Sequence, residues 1–187
     1  RLMLQVGARL APVLPRLVMP LARRRLRQLV GHMVVDAAPG PVHDHLARRR
    51  GEGYSMNVNL LGEAVLGEGE AARRFERTLA LIEDSAVDYV SVKVSAIASQ
   101  LNMWAFDHTL ERVKDRLRIL YQRAAVAPTD TGRTTFVNLD MEEHRDVEIT
   151  IRAFMELLDE PDLRDMDAGI VLQAYLPEAF GALQRIT

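Results

Sequence analysis

The chain has no cysteine. That excludes a disulfide framework, a thiolate nucleophile and any Cys-ligated zinc or iron–sulfur centre, and it fits a reducing compartment. Lysine is almost missing as well: Lys93 and Lys114 are the only two among 24 basic residues. No apolar run approaches the roughly 20 residues needed to cross a bilayer, because Pro12, Pro15, Arg16 and Pro20 break up the one candidate, Val6 to Leu21. A secretory leader would need a longer apolar core and a small-residue cleavage site after its basic start. Neither is found, and the chain opens on Arg1 rather than Met, which suggests a piece of something longer. The expected location is the cytoplasm.

What is present describes a folded domain. Hydrophobic residues make up 48% of the 187 and charged residues 27%, enough apolar surface for a core and an ordinary share of charge. The net charge of −2 hides an asymmetry. Residues 1–50 hold ten arginines against two aspartates, whereas residues 51–187 hold 14 basic against 24 acidic side chains. Two segments are expected, a basic helical arm over 1–50 and a larger body over 51–187. Arg23, Arg24, Arg25 and Arg27 lie beside an apolar stretch, so the arm could touch an anionic membrane surface or nucleic acid. An arginine face that is merely solvated and packs on the acidic body needs no partner, and nucleic acid is not the expected one.

In the arm, Leu26, Leu29, Val30 and Met33 fall at helical spacing, which predicts a helix over 21–37 that stops at Ala38-Pro39-Gly40-Pro41. A short helix follows over 42–50. Beyond it, short apolar runs alternate with long amphipathic patterns. Strands are expected over 56–61, 87–94, 135–140 and 169–174, and helices over 70–82, 106–125 and 147–158, with Pro177 opening a fourth. Such alternation predicts parallel βαβ units. Two architectures fit, an open doubly wound sheet and a (β/α)₈ barrel. The open sheet usually carries a Gly-rich phosphate turn after its first strand. Here that place reads Leu61-Gly62-Glu63-Ala64-Val65-Leu66-Gly67, where the spacing is wrong and Glu63 would repel a pyrophosphate.

Polar residues interrupt the apolar runs near the C-terminal ends of the expected strands: Glu63, Lys93, Asp140 with Glu142, and Gln173 with Tyr175. In a parallel barrel those ends share one face, where active sites are built. Lys93 lies between Val92 and Val94, and a buried ammonium needs an anionic partner or ligand. A carboxylate on a neighbouring strand would serve, and so would a substrate carboxylate. Asp140, Glu142 and Glu143 place three carboxylates within four residues, suited to a divalent metal or to acid–base work. Gln173 is an amide in an otherwise apolar run, and a flavin's pyrimidine edge, backbone or another side chain could satisfy it.

The runs Asn59-Leu60-Leu61-Gly62-Glu63-Ala64, Val90-Ser91-Val92-Lys93-Val94-Ser95, Phe136-Val137-Asn138-Leu139-Asp140-Met141-Glu142-Glu143 and Gly169-Ile170-Val171-Leu172-Gln173-Ala174-Tyr175 together resemble the proline dehydrogenase family, in the family's order. The resemblance implies a distorted (β/α)₈ barrel, of which residues 51–187 are the first half, preceded by the helical arm. It implies non-covalent FAD, oxidation of L-proline to Δ1-pyrroline-5-carboxylate, a quinone as electron acceptor and a peripheral membrane contact. By match to the family's motifs, Lys93 corresponds to the substrate-carboxylate lysine, Asp140 to the active-site aspartate, and Met141 and Gln173 to flavin-contacting positions. The remaining half of the barrel, and in the large bacterial enzymes an aldehyde dehydrogenase domain, would lie in the parent chain, so this chain alone is expected to be inactive. The rival reading is a metal-dependent or Schiff-base lyase or aldolase barrel using Asp140, Glu142, Glu63 and Lys93.

Overall fold

The computed structural model describes residues 12–60, 65–141 and 143–187; Glu63 and Glu142 lie outside the described residues. The chain divides between Arg48 and Arg49 into two compact units. In the first, helix α1 runs Pro15–Val30, displaced from the expected 21–37. Proline at the first helical position gives up an N–H that would have no intrahelical partner, so Pro15 starts the helix, and Pro20 is carried inside it. None of its residues is buried, and Leu26 and Leu29 are both more than half exposed. Helix α2, Pro39–Gly51, also opens on a proline that the sequence marks as a stop.

The second unit continues as β1 (Val58–Asn59), α3 (Glu68–Ile82), β2 (Tyr89–Lys93), α4 (Val94–Ile97), α5 (Phe106–Val126), β3 (Phe136–Asp140), α6 (Val147–Leu158), β4 (Ala168–Ile170) and α7 (Ala179–Ile186). Single 3₁₀ turns, Met103–Ala105 and His144–Asp146, lead into α5 and α6. The four strands form one sheet in the order β1-β2-β3-β4, and every pair is parallel. An open doubly wound sheet reverses its strand order at a switch point. Consecutive order without reversal, with a helix after each strand, is the progression of a (β/α)₈ barrel.

Side chains alternate between the two faces of a strand. One face of this sheet carries Val90, Val92, Val137 and Leu139, all buried. The helices meet it with stripes at helical spacing: Ala71, Thr78 and Ile82 from α3; Leu110, Val113, Leu117, Leu120 and Ala124 from α5; Ile149, Ala153, Phe154 and Leu157 from α6. Ion pairs tie the helix layer together. Lys114 Nζ on α5 lies 2.9 Å from Glu156 on α6, and the Arg118 guanidinium donates to both oxygens of Glu160 at 2.8 and 3.0 Å. One of the two lysines is thereby accounted for as a helix-to-helix clamp. Its partner Glu156 holds the Lys114 ammonium above its ordinary pKa through their hydrogen bond, against the opposing effect of burial.

Candidate active site

The opposite face of the sheet is polar, and the register stacks it in layers. Tyr89 and Phe136 are register partners at the starts of β2 and β3 and meet edge to face with centroids 5.0 Å apart. One layer on, Asn59, Ser91, Asn138 and Gly169 stand side by side across the four strands. Ser91 Oγ accepts from Asn138 Nδ2 at 3.3 Å and from Asn57 Nδ2 at 2.8 Å. Glycine is required at 169 by crowding: a Cβ there would stand 2.8 Å from Asn138 Oδ1 and 2.8 Å from the Phe136 ring. The next layer holds Lys93 and Asp140, register partners and the last residues of their strands.

Lys93 ends β2 and the next residue begins the single turn of α4, so the strand stops where its cation must be presented. The residue is only 6% exposed. With Ser91, Leu60, Arg73, Arg77 and Thr78 it lines a cavity of about 500 Å³. The Asp140 carboxylate is held at both oxygens. Oδ1 accepts the Met141 backbone N–H at 3.0 Å, and Oδ2 accepts from Asn59 Nδ2 at 3.4 Å. Met141 is buried against Ile151 and Ala182, and its carbonyl accepts from Gln173 Nε2 at 3.4 Å. Met141, Leu172 and Gln173 contribute to the wall of a second cavity of about 200 Å³.

The structure thus brings three of the four expected site residues, Asp140, Met141 and Gln173, into one hydrogen-bonded line, with Lys93 beside Asp140 in register. It corrects the element that carries Gln173. The expected strand 169–174 pairs only through Ile170, followed by one last bond from the Val171 N–H to the Leu139 carbonyl, so Gln173 lies in the loop beyond. The last register pair is Leu139 with Ile170, one residue before β3 itself ends at Asp140. Of the expected strand 56–61, Leu61 lies outside the described residues, and among the described ones pairing covers Val58–Asn59. Tyr175 is largely exposed. Of the carboxylate cluster invoked by the lyase reading, Glu63 and Glu142 lie outside the described residues, and among the described residues no three metal-ligating side chains converge.

Sequence reasoning missed Asn57, Asn59, Ser91, Asn138 and Asp146. A signal for the first four is present: Asn57-x-Asn59, Ser91-x-Lys93 and Asn138-x-Asp140 repeat polar residues two apart through apolar strands. Asp146, in the turn after β3, is 3% exposed, and its Oδ1 has no hydrogen-bond partner. Burial, aided by repulsion from Glu143 and opposed by Arg145, pushes its carboxyl up to about 6. A raised carboxyl pKa favours the protonated folded form, so the stability it lends is complete below about pH 4 and is lost as pH rises through 6. Asp146→Asn is therefore expected to raise the melting temperature at pH 8, by an amount reflecting on the order of 2 kcal/mol, and to change it little at pH 4. Melting curves of both proteins at the two pH values check this.

A polar face at the C-terminal ends of parallel strands, on a chain with this strand order, now meets its match among known proteins. The model of the family described as proline dehydrogenase matches residues 42–187. The chain belongs to the proline dehydrogenase family. Proline utilization A (PutA) from Corynebacterium freiburgense is similar in structure, with 49% identity over 87% of this chain and 16% of that one and a TM-score of 0.76. PutA from Bdellovibrio bacteriovorus, whose structure shows the protein inactivated by N-propargylglycine, has 26% identity over 91% of this chain and 19% of that one, TM-score 0.74. A Bradyrhizobium japonicum PutA variant shares the fold at 22% identity and a TM-score of 0.66. The chain thus spans less than a fifth of each of these family members. Among curated proteins, none matches it. Family membership favours the proline dehydrogenase reading over the lyase or aldolase alternative.

Proposed function

We propose that this chain supplies the first four βα units of an FAD-dependent proline dehydrogenase, which oxidises L-proline to Δ1-pyrroline-5-carboxylate and passes the electrons to a quinone. The observation that carries the reading is the contrast between the two faces of one parallel sheet. Inner layers of a (β/α)₈ barrel are normally filled by branched apolar side chains. Here they hold Ser91, Asn138, Lys93 and Asp140, and polar groups in such a place need partners. Within the sheet Ser91, Asn138 and Asp140 already bond to neighbouring side chains or backbone, and a polar layer of this kind, with a cation at its end, suits an anionic, hydrogen-bonding substrate and a flavin ring.

The residues fit both guests. Lys93 offers a cation at a strand end suited to a carboxylate, and its cavity is also lined by Arg73, Arg77 and the Arg74–Glu70 ion pair of α3. Gln173 carries amide donors and an acceptor, matching the alternating edge of a flavin pyrimidine, beside the buried Met141 side chain. FAD, when bound, supplies the redox chemistry by accepting hydride from the ring carbon next to the proline nitrogen. Lys93 holds the carboxylate and so fixes which carbon faces the flavin. Asp140, anchored at both oxygens, orders the cations around substrate and cofactor.

We further read residues 1–50 as a basic arm and 51–187 as half of a barrel completed by downstream sequence, with an aldehyde dehydrogenase domain beyond. Among the described residues no helix is long and apolar enough to cross a membrane. A cytoplasmic enzyme that meets the inner membrane peripherally, through the arginine-rich arm, fits delivery of electrons to a quinone. The test is proline-dependent reduction of an artificial electron acceptor by the complete enzyme. Turnover that N-propargylglycine abolishes is the expected result. A metal requirement, or borohydride trapping of a carbonyl substrate on Lys93, would instead favour the lyase or aldolase barrel.

A further inference from the structure

We propose that Asn59 is a positioning residue for Asp140, locking the carboxylate into one orientation at the end of β3; this deepens the proline dehydrogenase reading and rests on it. Asn59 sits on β1, two strands away from its acceptor. In register it partners Ser91, while Asp140 partners Lys93 one layer further on. The bond from Asn59 Nδ2 to Asp140 Oδ2 therefore runs diagonally across β2. Such a reach is open to side chains that share one face of the sheet and lean together there.

An aspartate held only by the N–H of the following residue keeps one oxygen in place and can still pivot about that contact. The Met141 N–H holds Oδ1 in this way. A second donor from a different strand removes the pivot and sets the plane of the carboxylate. The chemistry restricts what can stand at 59. An aspartate would repel the acceptor, a lysine would add a second cation beside Lys93, and a serine is too short to cross a strand. A neutral amide donates without changing the charge of the site. Asn57, two residues earlier on the same segment, bonds Ser91 in the same manner. Although among the described residues only two of β1 pair with the sheet, this segment thus braces both polar layers.

The expected effects separate positioning from folding. In the complete enzyme, Asn59→Ala lowers kcat for proline by roughly 10-fold, since small misplacements at a reacting centre are costly. KM moves little, because Lys93 rather than Asn59 meets the substrate carboxylate. In an Asp140→Ala background the same substitution costs less than about twofold, the non-additivity expected of two residues acting as one. Equal losses in both backgrounds would overturn the proposal. A second cycle, on melting temperature, uses the same three variants and needs no turnover. Asn59→Ala lowers the melting temperature in the native background and has little effect once Asp140 is alanine; strictly additive shifts would refute the contact. If the complete enzyme oxidised no proline, the functional reading would fall while the melting cycle still decided whether Asn59 holds Asp140.

Discussion

Lys93→Met is expected to raise the KM for proline by roughly 10- to 100-fold, the loss of about 1.5–3 kcal/mol that a hydrogen bond to a charged group contributes. Methionine keeps most of the aliphatic stem, so the buried position stays filled and the change isolates the ammonium. In the sequence, one of only two lysines interrupts a valine-rich strand. In the fold, Lys114 is used by Glu156 on the helix layer and Lys93 stands at the strand end on the polar face. A kcat within a few-fold of the parent's, alongside the raised KM, would mark loss of binding shared by ground and transition states. Unchanged kinetics would remove Lys93 from the substrate site.

Asp140→Ala is expected to act on the other parameter. Removing the carboxylate releases the Met141 N–H and the Asn59 amide together and takes a negative charge from the register position beside Lys93. Substrate and cofactor then lose a common reference point, and kcat falls on the order of 100-fold, the size associated with misplacement of reacting groups. Steady-state kinetics with saturating proline and FAD measure it. An Asp140→Ala enzyme with an unaltered kcat would mean that the ordered line from Asn59 to Gln173 is scaffolding only.

The site was legible in sequence to the extent that its residues break a pattern. Lys93, Asp140 and Gln173 interrupt apolar runs, a conflict readable without coordinates; of the three, Lys93 is buried, while Asp140 and Gln173 are half-buried. The helix over 147–158 was equally plain, because its apolar stripe has no competing signal. Strand ends were not legible. Among the described residues β1 and β4 pair over two and three residues respectively, fewer than the five of β2 and of β3, and no local propensity encodes how far a ladder runs. Prolines misled in the arm: Pro15 and Pro39 begin helices that the pattern placed later. Asn59 escaped because its partner lies 81 residues away across an intervening strand. Only the register brings the two within reach.

The most direct test of the account is anaerobic addition of proline to the complete enzyme while the visible absorbance of its flavin is followed. The account predicts a yellow protein whose flavin is bleached by proline, and a Lys93→Met variant that bleaches to the same extent only at much higher proline concentration. A protein that binds no FAD, or a bound flavin that stays oxidised in saturating proline, would contradict it.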